Sequence, residues 1–246
     1  MPASGSTGVL AVKKVVALYM WSAGLSQFAL FCLAAIVLSL FFSAQTYDSL
    51  LKRMLRNVFR LLFVPVRVQG VEQIVPGNVY IYMSNHVSVF DMPLLGGFIP
   101  GRVRSIEATR QFRWPLYGLA IRRVGNIAIS RDHVFAAMRS YRLAHEVLKR
   151  GQSLVILPEG HRTLDGKLRR FKRLPFLFVK QAGVDLVPVG ISGLFTLKNK
   201  NSWLIRPSKV KIRFGRVISR NQIDRLSESE LQELTRRRIE ELVEWI

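Results

Sequence analysis

A histidine and an aspartate five positions apart, His86 and Asp91, stand in the segment Ser84-Asn85-His86-Val87-Ser88-Val89-Phe90-Asp91. Neutral imidazole is a base near neutral pH, and a carboxylate beside it fixes its tautomer and stabilises its protonated form. The spacing restricts where such a pair can meet. On a regular helix, five steps of about 100° leave the two side chains roughly 140° apart. Contact therefore requires His86 in a strand-to-helix turn and Asp91 in the first turn of the helix. Taken alone, the same residues also describe a turn histidine followed by a capping aspartate.

Two further segments carry groups that could meet a ligand. Leu157-Pro158-Glu159-Gly160-His161-Arg162-Thr163 follows an apolar run. Glu159 and Arg162 then fall at the C-terminal end of a strand, where α/β proteins bind ligands; a structural Glu–Arg ion pair is the plainer reading. Gly125-Asn126-Ile127-Ala128-Ile129-Ser130-Arg131 ends a strand-like run in an arginine. The planar guanidinium fork suits a phosphate, and a surface arginine is the alternative.

The elements that must hold these groups read as α/β. Apolar runs of buried-strand type recur at 79–83, 126–130, 154–157, 186–191 and 209–214. Helical patterns separate several of them. One spans 132–150, with Asp132 as N-cap and a cationic last turn ending at Gly151. Ser227 and Glu230 form a capping-box pattern opening a last helix that runs to about residue 244. Residues 198–208 read as a loop. Alternating strands and helices imply a sheet covered by helices.

Ahead of this domain, residues 1–8 read as a mobile end, and no charged residue occurs from Val15 to Tyr47. That stretch exceeds the roughly 20 apolar residues needed to cross a bilayer. A spanning helix, a helix or helix pair embedded from one side, and a cleaved signal peptide all remain open. Basic flanks on both sides (Lys13 and Lys14; Lys52, Arg53, Arg56 and Arg60) favour embedding from one side, with the more basic C-terminal flank facing the cytoplasm. Residues 47–64 read as an amphipathic helix with an apolar stripe through Leu50, Leu51, Met54, Leu55, Val58, Phe59 and Leu62. Such a helix suits the headgroup region of an anionic membrane, or an ordinary core. Pro65 ends the pattern, placing an anchor at 1–64 and one domain at 65–246.

The 246 residues carry 37 Lys and Arg against 16 Asp and Glu, and 49% are hydrophobic. That composition excludes a disordered chain. A single cysteine, Cys32, excludes a disulfide scaffold. The anchor holds six of the cations and one acid, so the domain keeps 31 cations against 15 acids. Basic stretches at 102–123 and 162–180 flank the three segments above. They suit anionic headgroups, a phosphorylated acceptor, and an acidic carrier or coenzyme. A membrane-tethered nucleic-acid binder would share this charge, but no recognised binding motif accompanies it.

In this order, the three segments resemble the lysophosphatidic acid/glycerophosphate acyltransferase family, in particular bacterial 1-acyl-sn-glycerol-3-phosphate acyltransferases. NHVSVFD matches the NHxxxxD block. GNIAISR is similar to GxxFIxR, with Ala128 for the usual Phe. PEGHRT is similar to PEGTRS, with His161 for Thr and Thr163 for Ser. Val187-Pro188-Val189 resembles the fourth block. The stretch around Arg110 resembles a segment where a lysine is common, and Phe171-Lys172-Arg173 resembles FKxG without its glycine. The similarity covers roughly 65–220.

The resemblance implies a glycerol-3-phosphate acyltransferase-like fold, a mixed and mainly parallel sheet flanked by helices behind a membrane anchor. It implies acyl transfer from a carrier-protein or coenzyme A thioester to the sn-2 hydroxyl of lysophosphatidate, giving phosphatidate at the cell membrane, with the catalytic domain on the cytoplasmic face. His86 is then the general base and Asp91 its partner. Arg131, Arg162 and Arg110 hold the phosphate, and Glu159 with Gly160 belongs to the acceptor site, Glu159 either bonding the acceptor or holding Arg162. Transfer is direct, and neither a cofactor nor a metal is expected. A sibling acting on glycerol-3-phosphate or another lysophospholipid is the enzymatic alternative.

Overall fold

The computed structural model describes residues 4–130 and 134–244. Chain order is α1 (Ser4–Phe41), α2 (Ala44–Leu61), β1 (Val66–Gln69), β2 (Tyr80–Ser84), α3 (Asp91–Phe98), β3 (Val103–Ala108), α4 (Tyr117–Val124), β4 (Ile127–Ile129), α5 (Val134–Lys149), β5 (Ser153–Ile156), α6 (Leu174–Ala182), β6 (Asp185–Ser192), α7 (Leu194–Leu197), β7 (Val210–Phe214), α8 (Arg220–Arg225) and α9 (Glu228–Leu242). The strands form one sheet in the order β1-β7-β6-β2-β5-β3-β4. Every neighbouring pair is parallel except β6 with β7. The sheet is thus mixed and mainly parallel, as the resemblance implied, and flanked by helices.

The two-residue period of the strands divides the interior into two cores. On β2, Tyr80 and Tyr82 join one core while Ile81 and Met83 join the other. On β5, Val155 opposes Leu154 and Ile156 in the same way. The first core takes Leu94 and Leu95 of α3, and the second takes Phe176 and Val179 of α6 with Leu231 and Ile239 of α9. The capping box at Ser227 and Glu230 opens α9. The N-cap expected at Asp132 lies outside the described residues.

The sequence reading missed two strands, β1 and β3. β3 reads VRSIEA, yet Arg104 and Glu107 on it are buried. Arg104 pairs with Asp48 of α2 at 2.9 Å, with side chains 3% and 14% exposed. Part of the basic stretch at 102–123 is therefore spent inside the protein. Removing one member of such a pair strands the other charge, at about 3–5 kcal/mol. Asp48→Ala is accordingly expected to lower Tm by about 6–20 °C. Glu146→Ala, which breaks the exposed pair with Lys149, is expected to shift it by about 1 °C or less. Thermal denaturation in one detergent reads both.

Helices α1 and α2 form an antiparallel hairpin. Tyr19 Oη donates to the Leu61 carbonyl at 3.0 Å and Gln27 Nε2 to that of Met54 at 3.0 Å. The helix begins at Ser4, so residues 4–8 are part of α1 rather than a loose end. The apolar stripe of α2 turns inward: Val58, Phe59 and Leu62 join Met20 and α3 in the first core. Two cations flanking the apolar stretch cap the C-terminal end of α3, Lys52 Nζ on the Ile99 carbonyl and Arg56 Nε on that of Gly97, each at 2.5 Å. A run of exposed apolar side chains lies along α1, through Val15, Leu18, Leu25, Leu30, Leu33, Val37 and Leu40. Lys14–Phe41 is long and apolar enough to cross a membrane.

Candidate active site

β2 ends at Ser84 and α3 begins at Asp91, so His86 sits in the turn between them and Asp91 in the first helical turn. This is the arrangement that the five-residue spacing required. His86 Nδ1 lies 2.7 Å from Asp91 Oδ2. The same oxygen accepts the backbone N–H groups of Val87 at 2.7 Å and Ser88 at 3.0 Å. Asp91 is fully buried, and its Oδ1 has no hydrogen-bond partner among the described residues. With Nδ1 donating to the carboxylate, Nε2 is the ring nitrogen free to take a proton. The neighbouring Asn85 locks the turn onto β6, donating Nδ2 to the Ile191 carbonyl at 2.9 Å and accepting from the Ile191 N–H at 2.8 Å.

The loop after β5 clamps the histidine backbone. Glu159 Oε1 accepts the His86 N–H at 2.7 Å, and the His86 carbonyl accepts the Thr163 N–H at 2.9 Å. Glu159 Oε2 accepts the Arg169 N–H at 2.9 Å. Both carboxylate oxygens are thus committed to backbone, and the side chain is 2% exposed. The expected hold on Arg162 is not seen: no ion pair joins Glu159 to it among the described residues. Among the described residues Arg162 has no ion-pair partner at all. Burial pushes the Glu159 carboxyl up to about 7, while the two N–H donors pull the other way.

Gly160 turns this loop at φ +74°, its N–H reaching the Leu157 carbonyl. Side-chain-bearing residues pay for that left-handed conformation, about 1–2 kcal/mol. Its neighbour Lys172 closes the loop, donating its N–H to the Pro158 carbonyl at 2.8 Å.

Arg110 follows β3, exposed, two strands from β2, which is roughly 10 Å sideways at the strand spacing. Arg131 lies outside the described residues. Glu107 of β3 centres a cluster not foreseen in the sequence. Glu107 accepts from Ser105 Oγ at 2.8 Å, Asn126 Nδ2 at 2.7 Å and Tyr117 Oη at 2.7 Å. Asn126 is the second residue of the GNIAISR segment, and its side chain fixes β4 against β3. Ala128, in place of an aromatic, is half-buried on the edge strand β4.

The fold resembles that of the crystal structure of the 1-acyl-sn-glycerophosphate (LPA) acyltransferase PlsC from Thermotoga maritima. The TM-score is 0.79 at 24% identity, over 94% of this chain and 95% of that one. A 1-acyl-sn-glycerol-3-phosphate acyltransferase from Cocos nucifera is 29% identical over 160 residues, 65% of this chain and 51% of that protein. A lyso-ornithine lipid O-acyltransferase from Pseudomonas aeruginosa is 37% identical over 127 residues, 52% of this chain and 47% of that protein. The chain spans about half the length of these two curated relatives. The model of the family described as Acyltransferase matches residues 65–192, which run from the end of the helical hairpin through β6 and hold both loops around His86. The chain belongs to the Acyltransferase family.

Proposed function

We propose that the chain transfers an acyl group from an acyl thioester to the sn-2 hydroxyl of lysophosphatidate, giving phosphatidate. The observation that carries the reading is the 2.7 Å pair of His86 Nδ1 with Asp91 Oδ2, in a histidine whose backbone is held at both ends. His86 Nε2 removes the hydroxyl proton as the oxygen attacks the thioester carbonyl carbon. Asp91 stabilises the imidazolium that results. The tetrahedral intermediate collapses by breaking the C–S bond, and the departing sulfur takes the proton from Nε2. Base and acid are the same ring, and the products are the ester and a free thiol. No acyl-enzyme is needed, since Cys32 is buried in the hairpin.

Arg162 binds the acceptor phosphate by charge-assisted bonds, and Arg131 and Arg110 are the other cations assigned to it. Glu159 acts through the His86 backbone as a positioning group. The thioester is carried by coenzyme A or an acyl carrier protein, both anionic and matched by the basic loop at 162–180. The exposed apolar face of α1 sits in the membrane, with the catalytic domain on the cytoplasmic side.

The 37% identity to the lyso-ornithine lipid enzyme supports a second reading, in which the acceptor is a lysolipid without phosphate. An acceptor panel decides between them. Purified full chain in mixed micelles receives labelled acyl-coenzyme A or acyl carrier protein, with lysophosphatidate, glycerol-3-phosphate or lyso-ornithine lipid. Labelled phosphatidate as the dominant product is the expected result. Preferential labelling of another acceptor overturns the proposed substrate.

A further inference from the structure

Lys198 is a buried cation that the mechanism above does not use. It follows α7, is 7% exposed, and among the described residues has no ion-pair partner. Buried charges are ordinarily paired. Its ammonium has three donors. One reaches the Asn199 carbonyl at 2.6 Å, and the group lies 5.9 Å from the centre of the Trp21 ring. Donor capacity remains for something else.

Its surroundings indicate what that is. The Lys198 carbonyl accepts Ser88 Oγ at 2.7 Å, which ties it to the turn carrying His86 and Asp91. Three residues on, Asn201 Nδ2 donates to the Leu164 carbonyl at 3.3 Å, tying the same loop to the segment that carries Arg162. The Arg162 guanidinium is near enough that its charge, added to burial, lowers the Lys198 pKa. Like charges on two segments tied together in this way repel one another, and an anion between them relieves both. On the other side, Trp21 Nε1 donates to the Trp203 carbonyl at 2.6 Å. Trp21 belongs to α1, whose exposed apolar face includes Leu18 and Leu25. Lys198 therefore lies where the base-bearing turn meets the apolar helix, the place at which the phosphate of a membrane-held lysolipid would emerge.

We propose that Lys198, together with Arg162, binds the acceptor's phosphate monoester and makes the enzyme select phosphorylated acceptors. The inference rests on the lysophosphatidate reading and names a specificity residue for it. Trp21 holds the lysine stem in place.

The test compares Lys198→Met, which keeps the stem on Trp21 but removes the charge, with Lys198→Arg and the wild type. Initial rates are measured against lysophosphatidate and, separately, against the thioester. Lys198→Met is expected to raise the KM for lysophosphatidate roughly 10- to 100-fold, the value of one charged hydrogen bond. Its kcat should fall less than about threefold and its donor KM stay level, and Lys198→Arg should restore the acceptor KM to within about fivefold. An unchanged acceptor KM overturns the proposal. So does a parallel loss in kcat and both KM values, which marks a packing role, or a rise in donor KM alone, which assigns the lysine to the coenzyme's phosphates.

Binding without donor separates this inference from the transfer reaction. Lysophosphatidate and the matching monoacylglycerol are titrated while the tryptophan fluorescence is followed, Trp21 being the reporter beside Lys198. Wild type is expected to prefer the phosphorylated lipid by more than roughly 100-fold, and Lys198→Met to lose roughly 10- to 100-fold of that preference while Arg162 keeps the rest. This result supports the site even if no transfer is seen, in which case the reaction assignment alone fails. Equal binding of the two lipids by wild type overturns the site.

Discussion

His86→Ala is expected to reduce acyl transfer by roughly 10²- to 10⁴-fold, the contribution of a positioned general base. The loss should fall on kcat rather than on the acceptor KM, because the imidazole acts in the transition state and not in holding the phosphate. Asp91→Asn should come close to the same loss for a different reason. A carboxamide can present N–H to Nδ1, which places the ring proton on Nε2 and leaves no base facing the hydroxyl. The two losses should not add, because the second residue acts only through the first. Folding is not expected to account for the His86→Ala result. The side chain is 13% exposed, and the bonds that hold the turn use the His86 backbone. Initial rates of the two single variants and the double variant, with a Tm for each, give the comparison. Additive losses would detach Asp91 from the base.

Glu159→Gln has the second largest expected effect, on stability and rate together. The carboxylate accepts one backbone N–H on each oxygen, from His86 and from Arg169. Glutamine keeps one acceptor and turns an NH₂ toward the other N–H, leaving a buried donor unpaired at about 1–3 kcal/mol. Either the His86 backbone or the 159–169 loop must move, and a base displaced by about 1 Å can lose on the order of 10²-fold in rate.

A pH signature accompanies this substitution. The folded-state value near 7 stands above the unfolded value of 4.5. Between those two the folded protein keeps a proton that the unfolded chain has released. Stability therefore falls as pH rises across that window, by on the order of 3 kcal/mol, and levels off above about 7. Thermal melts from pH 4.5 to 8 should show this decline in wild type and a flatter profile in Glu159→Gln. Identical slopes would remove Glu159 as its source.

The sequence made the His86–Asp91 pair legible because five residues after a strand leave few ways for two side chains to meet, and a strand-to-helix turn is one of them. The core strands β2, β5 and β6 were legible for a related reason, since strands buried on both faces read as unbroken apolar runs. β3 was not. Its pattern is interrupted by Arg104 and Glu107, whose partners are Asp48, 56 residues away, and Asn126, 19 residues away. Neither pairing follows from local pattern.

The role of Glu159 was hidden because its partners are backbone N–H groups, which every non-proline residue possesses. The stripe on α2 showed its period plainly, but period cannot say whether lipid or protein covers a face. Here α3 and α1 cover all of it but Leu50, while a run of uncovered apolar side chains lies along α1. Lys198 stood in a segment read only as a loop, and its proximity to Arg162, Ser88 and Trp21 is tertiary throughout.

The most direct test of the central claim is a single reaction: purified full chain, lysophosphatidate and a labelled acyl thioester, with the His86→Ala variant alongside and phosphatidate as the readout. Phosphatidate from the wild type, and at least about 10²-fold less from a folded His86→Ala protein, is the expected result. Phosphatidate formed equally by both would contradict the assignment of His86. No transfer by folded wild type to any lysolipid, with either carrier, would contradict the proposed reaction itself.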